Sequence, residues 1–508
     1  MSNNDKDNTP LNQAEQTTRR TRSTAQKTRK PNFIMRTING WFNRLFGAVH
    51  DGSFSEQEEL YASNRTKRDY IWNTIGIGSF GMSFPILTVV VTQLVGVEQA
   101  GMFSMAFVVG LLLMIVANYG LRSYQVSDIT ESHSFNDYQV NRFITCAIML
   151  IAGALYCVIR GYGEEMFVIS MGVYIFKMVD GLADVYEGRL QQVNKLYLAG
   201  ISQTIRSVLV LIIFSLVLLI TRNLSIACVA MAITAVLTLV IVTVPLALLE
   251  TPKSPKLNRF SIKELFKQGF TVFIALFMYA LIDSMPKFVI ESMLSYDDQL
   301  YFNALYFPAE GILLTIGLVY KPQLVRFAKF WADKTTRKRF DLMIVAVIAA
   351  ILVLTLVMIF LMGWIGLPVM SFLYGVDFEQ FRSLCFIMLA AGGVIASIDF
   401  LYSIITVLRR QKEVLKLYVI TFGFSLFVPV LLASQTGLPG VVVGYLIVMA
   451  ILFVLLIWEY MNIRRSYSEK DAALLAEEIT HKRPSEIRAE RERLKSHRGR
   501  GVSKDKDK

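Results

Sequence analysis

The sequence contains few of the residues that usually build metal centres and redox sites. It has four cysteines, none of them in a CxxC pair, and four histidines. Each cysteine falls within or at the edge of an apolar stretch, which predicts buried free thiols. Every histidine lies outside those stretches, so we expect neither a zinc site nor a histidine proton relay inside a membrane. The residues are Cys146, Cys157, Cys228, Cys385, His50, His133, His481 and His497.

Two further absences narrow the function. The chain has no glycine-rich nucleotide-binding loop and no nucleophile–base constellation. We therefore expect no catalytic residues, no cofactor and no ATP-driven transport by this chain alone. The first 30 residues are polar and basic without an apolar core, so we predict no cleavable signal peptide there. The first apolar stretch should then act as an uncleaved insertion signal.

What the sequence does contain is long apolar runs. Hydrophobic residues make up 54% of the chain, and the mean hydropathy is +0.47. A helix needs roughly 20 residues to cross the bilayer, and twelve stretches are long enough. They are apolar on nearly all sides, unlike the alternating strands of a membrane barrel. The sequence therefore predicts an all-α polytopic membrane protein. The predicted spans are 70–95, 101–119, 143–160, 165–187, 203–221, 224–249, 266–293, 300–320, 342–363, 381–407, 415–433 and 439–461.

The basic residues predict the orientation of these spans. A net charge of +12 first suggests a nucleic-acid partner, but most of the excess lies in the two tails and in alternate loops. Counted from a cytosolic N-terminus, the inner loops carry 21 Lys and Arg residues, and the outer loops carry only Arg160 and Arg222. Because positive charge collects on the cytosolic side, we expect both termini in the cytosol and no binding of nucleic acid.

The spans divide into two groups of six. A basic, proline-containing linker at 251–265 separates a bundle at 69–250 from a bundle at 266–461. Residues 1–68 form a basic N-terminal segment predicted to be disordered. Within it, about 33–49 has the pattern of an amphipathic helix, either in the headgroup layer or packed on a partner. Residues 462–508 form a charged tail that begins as a helix and either rests on anionic lipid or simply aids solubility.

Polar residues inside the spans are the candidates for function, because ionisable groups there usually face a cavity or a partner. In the fourth span, Lys177, Asp180, Asp184 and Glu187 share one helix face. We expect Lys177 to pair with Asp180 and to face a cavity. Glu187 is expected to reach water at the cytosolic end of the helix.

The seventh span carries Asp283, Lys287 and Glu291 at four-residue spacing, with Pro286 between them. A charged stripe beside a helix bend suits a solvated lumen. A structural ladder of salt bridges is the alternative.

Two further acids lie in later spans. Glu310, two residues after Pro308, is a candidate for ion or proton coupling unless Lys287 neutralises it permanently. Asp399 in the tenth span resembles Glu310 but lies nearer the cytosol.

Arg122 follows the second span, among Asn118, Tyr119 and Tyr124. A cation there could hold a phosphate that enters from the inner leaflet. Ordinary snorkelling of the side chain is the alternative.

Four segments are informative in combination, namely NYGLRSYQVSD, DGLADVYEGRLQQVNKLYLAG, DSMPKFVIESML and FLYGVDF. Together they resemble bacterial polysaccharide flippases of the Wzx type, which belong to the multidrug/oligosaccharidyl-lipid/polysaccharide exporter superfamily. The resemblance covers roughly 70 to 460. In one segment the family often has a Pro–basic–aromatic run, here Pro286, Lys287 and Phe288; many relatives have Arg at the basic position, whereas Lys acts as a point charge.

The resemblance implies two six-helix bundles around a central cavity that opens to one side at a time. It implies a polyprenyl-diphosphate-linked oligosaccharide as cargo, moved across the bacterial plasma membrane. The expected partners are membrane lipids, a coupling H⁺ or Na⁺, a polysaccharide polymerase and glycosyltransferases. Residues assigned to the substrate are Arg122, Lys177, Lys287, Asp180 and Asp184; those assigned to the cavity or to ion coupling are Asp283, Glu291, Glu310 and Asp399.

The sequence is also compatible with other functions. A cation-coupled multidrug exporter of the same fold would also suit acids inside the membrane. A membrane glycosyltransferase or polymerase usually needs a sizeable outer loop, and the longest here, at about 364–380, is small. A channel or a scaffold is a further alternative.

Overall fold

The computed structural model is predominantly helical over the residues it describes, which are 65–128, 130–254, 257–332, 337–408 and 410–481. Twelve of the described helices are long and apolar enough to cross a membrane. A helix satisfies its backbone N–H and C=O groups internally, which hydrocarbon requires. The predicted all-α fold with twelve spans is therefore confirmed.

We number the spanning helices in chain order. Helices α6 and α9 each continue through one π turn. The bounds are α1 Arg65–Val95, α2 Val97–Asn118, α3 Phe135–Arg160, α4 Glu164–Gln192, α5 Leu196–Thr221, α6 Leu224–Thr238 with Leu239–Thr243 and Val244–Glu250, α7 Arg259–Met293, α8 Tyr296–Tyr320, α9 Arg337–Leu361 with Met362–Gly366 and Leu367–Tyr374, α10 Arg382–Val407, α11 Gln411–Thr436 and α12 Leu438–His481.

Several helices extend beyond the predicted spans. Helix α7 begins at Arg259, ahead of the predicted residue 266, and α12 continues to His481, past residue 461. The predicted edges follow hydropathy, whereas helical hydrogen bonding continues into polar residues outside the hydrocarbon. The predicted helical start of the C-terminal tail is therefore confirmed. The amphipathic helix predicted at about 33–49 lies outside the described residues, as does the end of the tail.

The helices from Arg68 onward belong to one compact unit. We call α1–α6 the first half and α7–α12 the second half. Helix α4 packs against α2 and α6, and α12 packs against α10 and α11; between the halves, α2 contacts α7 and α8, and α3 contacts α7. The membrane face at which α1 begins and α12 ends is called the terminal face, and the other is called the opposite face. The division into two bundles at 251–265 stays a prediction.

The linker between the halves is fastened to the first half at the terminal face. The backbone N–H of Asn258 donates to Asp137 at 2.8 Å, and Ser261 hydrogen-bonds His133 at 2.5 Å. The backbone N–H of Asn136 donates to the hydroxyl of Ser254 at 3.2 Å. The start of α7 is therefore tied to the loop between α2 and α3.

Close helix contacts depend on glycine at a few positions, as is common in membrane proteins. The tightest contact between the halves lies at the opposite face. A Cβ atom added to Gly101 on α2 would overlap with the carbonyl group of Tyr296 at the start of α8. No side chain fits there unless one helix moves.

Replacing Gly101 by Ala should therefore lower the thermal stability of the purified protein, at an overpacking cost of about 1–3 kcal/mol. Gly78→Ala on α1 is the matched control, because a Cβ there meets nothing within 4 Å. That control should be neutral or slightly stabilising, since Ala favours helix over Gly. Equal melting temperatures for the two variants would contradict the packing described here.

Candidate functional site

A cavity of about 140 Å³ lies between the two halves, bounded by α1, α2, α7 and α8. Its two walls differ in chemistry. The first half supplies apolar side chains, and the second half supplies all the ionisable ones in the described lining. The cavity therefore presents an apolar and a polar surface to the same ligand. The apolar wall contains Phe84, Val108, Leu111, Leu112 and Ile115; the polar wall contains Asp283, Ser284, Lys287, Asn303, Tyr306 and Glu310, beside Ala280 and Phe307.

Lys287 is held in the polar wall by Asp283, one helical turn earlier on α7. Its ammonium nitrogen lies 3.1 Å from Asp283 Oδ2 and 4.2 Å from the centre of the Tyr306 ring. The hydroxyls of Tyr306 and Tyr445 donate to Asp283 Oδ1 at 3.2 and 2.5 Å. Helix α7 runs continuously through Pro286. The first two members of the predicted stripe therefore do line a cavity together, as an ion pair.

Glu310 is the third ionisable residue of the polar wall, and it is exposed. It makes no hydrogen bond or ion pair with another residue in the described part of the chain. Lys287, the partner considered from the sequence, is engaged by Asp283 instead. An exposed carboxylate in a cavity is open to a cation or to a hydroxyl group.

Glu291, the last member of the predicted stripe, lies away from the cavity near the opposite face. Its side chain is 2% exposed and lies 3.1 Å from the guanidinium of Arg160 on α3. The hydroxyl of Tyr156 donates to it at 2.8 Å, and the hydroxyl of Tyr162 also donates to it. Glu291 therefore fastens the second half to the first. The sequence indicated Arg160 only as a loop charge.

A buried network of charges lies inside the first half. Asp180 accepts from Lys177 at 3.0 Å and from Arg206 at 2.9 Å, and Arg206 also lies 2.9 Å from Glu187. Two cations and two carboxylates balance the charge of this set. Lys177 further contacts the rings of three phenylalanines at 4.2 to 4.5 Å, which are Phe80, Phe107 and Phe176.

This network differs from the sequence-based expectation in three respects. The pairing of Lys177 with Asp180 is as expected, but Lys177 is fully buried and does not line the cavity. Glu187 is buried rather than open to water. Arg206 was counted among the loop cations, although it is 2% exposed. Its position inside the predicted span 203–221 was the available signal, since a cation there requires a buried acid.

Arg122 and Asp184 form an ion pair at the terminal end of the first half. Arg122 Nη1 lies 2.6 Å from Asp184 Oδ1, and Arg142 Nη2 lies 2.7 Å from Asp184 Oδ2. Gln191 accepts from Arg122 at 3.0 Å. The guanidinium expected to hold a phosphate is therefore already engaged, with 29% of its side chain exposed. Arg142 was counted only as a loop charge.

Asp399 lies near the terminal end of the second half. It accepts from the hydroxyl of Tyr320 at 2.5 Å and lies 3.3 Å from the ammonium of Lys321. Ser403 lies 3.2 Å from the same Tyr320 hydroxyl. Asp399 is paired and does not belong to the cavity lining described above.

A row of tyrosine rings extends from the neighbourhood of Asp283 to that of Asp399 in the second half. Tyr279 lies one turn before Asp283 on α7, and its ring lies 5.6 Å from that of Tyr418. Tyr418 in turn lies 6.4 Å from Tyr402, which follows Asp399 by three residues on α10. We call Tyr279, Tyr418 and Tyr402 the tyrosine arc. Spacing along the sequence does not predict this arc, because the three residues come from three helices.

Two buried amides beside the cavity have unmet hydrogen-bonding capacity. Asn303, which lines the cavity, donates to the Gln299 carbonyl at 2.9 Å, but its Oδ1 accepts no hydrogen bond within the described structure. Both polar side-chain atoms of Gln299 are likewise unpaired there. Buried polar atoms of this kind call for an explanation, and a polar ligand would supply one for Asn303.

The three cations predicted to bind an anion are thus each paired with a carboxylate. Lys287 alone among them lines the cavity. The four cysteines are buried and free, as predicted. The chemistry of the site is therefore reversible binding through charge, hydrogen bonds and apolar contact.

A large part of the sequence is similar to a known protein family. The family described as polysaccharide biosynthesis protein matches residues 67–326, just over half of the chain. This range includes all the predicted site residues except Asp399. No curated protein matches the sequence.

Solved structures establish the fold. One similar structure is an inward-facing conformation of a multidrug resistance MATE family transporter of the MOP superfamily, with a TM-score of 0.54 and 12% identity over 76% of this chain and 95% of that chain. Another is a mutant of the Vibrio cholerae MATE transporter VcmN, with a TM-score of 0.53 and 16% identity over 80% and 98%. The predicted fold is confirmed, because the chain shares it with these members of the superfamily.

Removing Arg206 should test the buried network. Arg206→Met leaves Asp180 and Glu187 without their shared cation, so it should destabilise the protein by roughly 3–5 kcal/mol. Arg382→Met is the matched control, because its ion pair with Glu379 is about half exposed and should contribute little. Thermal unfolding in detergent measures both. An Arg206→Met protein as stable as the wild type would show that the network is not formed.

Proposed function

The chain belongs to the polysaccharide biosynthesis protein family, and from that premise we propose that it moves a polyprenyl-diphosphate-linked oligosaccharide across the bacterial plasma membrane by alternating access. The observation that carries the proposal is the two-walled cavity between the halves. An apolar wall facing a charged and hydroxyl-lined wall suits an amphiphile. A glycan with its diphosphate cannot cross hydrocarbon unaided, because unpaired polar and charged groups are costly there.

We assign the parts of the cargo to different groups. Lys287 is the cation of the cavity and would contact the diphosphate, as a point charge rather than a bidentate clamp. Sugar hydroxyls would pair with the polar wall, where the ring and the hydroxyl of Tyr306 suit the apolar and polar faces of a pyranose. Arg122 and Asp184 would meet the headgroup at the terminal face. Lys177 and Asp180 would support the first half rather than bind cargo.

The contacts between the halves are consistent with alternating access. At the opposite face, the halves are joined by Glu291 and by Gln93, which donates to the Leu373 carbonyl at 2.8 Å. Towards the terminal face, Gly81 on α1 and Gly311 on α8 face open space. On the α7 side the rings of Tyr119 and Phe273 stack at 4.8 Å. We infer a state in which the two halves are closed against each other at the opposite face.

The coupling of transport to a cation and the cellular context are also proposals. Glu310 is our candidate for binding H⁺ or Na⁺, because it is exposed in the cavity without a partner in the described structure. Glycosyltransferases would supply the lipid-linked cargo, and a polysaccharide polymerase would consume it.

A cation-coupled multidrug exporter is the second candidate. The same apolar wall with an exposed Glu310 would also hold a lipophilic cation. The paired lysine is the feature that such a cargo would not need. The two functions therefore differ in cargo and not in fold.

Loss of the protein should trap its cargo. In cells depleted of the protein, lipid-linked oligosaccharide should accumulate in the inner leaflet and surface polymer should fall. Expression of the wild type or of Glu165→Gln, an exposed position at the start of α4, should restore export, whereas Glu310→Gln should fold but fail to restore it. Normal surface polymer and no trapped intermediate in depleted cells would reject this function. Unimpaired drug resistance in the same cells would argue against the second candidate, the multidrug exporter.

The proposed orientation is testable independently. Both termini should be cytosolic, because basic residues are concentrated in alternate loops. Reporters that fluoresce only in the cytosol should be active when fused after residue 508 and inactive when inserted beside Arg222, in the loop between α5 and α6. The reverse pattern would invert the orientation and, with it, the direction of transport.

A further inference from the structure

The cavity carries excess negative charge, although the proposed cargo is an anion. Its described lining contains three ionisable residues. Asp283 and Lys287 cancel each other as an ion pair, which leaves Glu310. A diphosphate that approaches Lys287 would therefore meet two carboxylates and one ammonium group. Like charges a few ångströms apart change an affinity by at least about tenfold.

The groups around Glu310 offer no second cation from the described residues. Helices α1 and α2 contribute only apolar side chains to the described lining. Beyond Asp283 and Lys287, the titratable groups nearby are the hydroxyls of Tyr279, Tyr306 and Tyr445, which surround the same carboxylates. A tyrosine hydroxyl can donate a hydrogen bond but does not cancel a charge.

We propose that a monovalent cation, either a proton or a sodium ion, binds at Glu310 together with the diphosphate headgroup and strengthens its binding. The proposal rests on the proposed function, since it assumes an anionic lipid as cargo. The coupling proposed here is positive. The cation and the cargo each raise the affinity of the site for the other, instead of competing for it.

Glu310 is the position for this cation because the other acids are already engaged. Asp283 receives hydrogen bonds from Tyr306 and Tyr445 as well as the ion pair with Lys287. Asp399 is held by Tyr320 and Lys321, away from the cavity lining. Glu310 alone among the three lacks such partners in the described part of the chain and is exposed.

The coupling is reciprocal. If the cation raises the affinity for the diphosphate by some factor, the diphosphate raises the affinity for the cation by the same factor. A permanently neutral side chain at this position should imitate the bound cation. Glu310→Gln should therefore hold the anion tightly while it loses transport.

Calorimetric binding of farnesyl diphosphate to the full chain in lipid nanodiscs tests the proposal, with farnesol as the uncharged control. Wild-type affinity should rise at least about tenfold when sodium replaces choline, or when the pH falls from alkaline to neutral. The first result would assign sodium and the second a proton. Glu310→Gln should bind about tenfold more tightly than the wild type in alkaline sodium-free buffer and should not respond to sodium. Any pH response that both proteins share belongs to the probe.

Glu165→Gln is the matched control, because it removes one carboxylate far from the cavity and should behave as the wild type. Wild-type affinity that ignores both cations, or falls as either increases, would overturn the proposal even if Glu310→Gln failed to fold. A folded Glu310→Gln protein that binds no more tightly than the wild type would overturn it as well. If the wild type and Glu310→Gln both bind farnesyl diphosphate no better than farnesol in every buffer, the lipid-diphosphate cargo itself is rejected.

Discussion

Ionised side chains inside a membrane protein must be compensated, because an unpaired charge away from water is costly. In the described structure this constraint pairs most buried charges with a partner of opposite sign, and two of the resulting sets are neutral. The buried network of Asp180, Glu187, Lys177 and Arg206 is the largest, and Asp283 with Lys287 is a smaller set at the cavity. Glu310 departs from the pattern: it is exposed within the cavity and lacks a cation. This departure is the reason why we propose Glu310 as the position at which an external cation binds.

Because of the same constraint, charged groups link neighbouring helices through ion pairs. A carboxylate needs several donors, and in a helical bundle these come from neighbouring helices. Glu291 on α7 thus joins α3 through Arg160, and Asp184 on α4 joins α3 through Arg142. Ion pairs within one half hold the helices of that half together. An ion pair between the halves can break only if another charged or polar group takes the place of the lost partner. The contacts of Glu291 at the opposite face are therefore the ones that a change between inward and outward states would have to exchange.

Hydropathy alone predicted the twelve spans, because each spanning helix must be apolar over a length fixed by the bilayer. Spacing within one helix likewise predicted the pair of Lys177 with Asp180. What spacing could not predict was any contact between helices. Arg206 and Arg160 were therefore assigned to loops, and the tyrosine arc was missed. A count of loop charges treats every cation near a helix end as solvated, whereas burial depends on which neighbouring helix supplies an acid.

The charge of the cavity also bears on the driving force for the proposed transport. An inside-negative potential favours outward movement of an anion by about 2.3 kcal/mol per charge per 100 mV. A diphosphate headgroup would be driven outwards without any further energy source, if the terminal face is cytosolic. A cation bound at Glu310 would reduce that driving force by one charge, but it would lower the cost of holding the anion beside Asp283. An acidic cavity with a single lysine would therefore suit a cargo whose movement is driven by the potential, and in our proposal the bound cation lowers the electrostatic cost of holding the anion. A neutral side chain in place of the carboxylate would still accept the anion, but it could not release a cation and so weaken the binding again. Tight binding and lost export are therefore expected together.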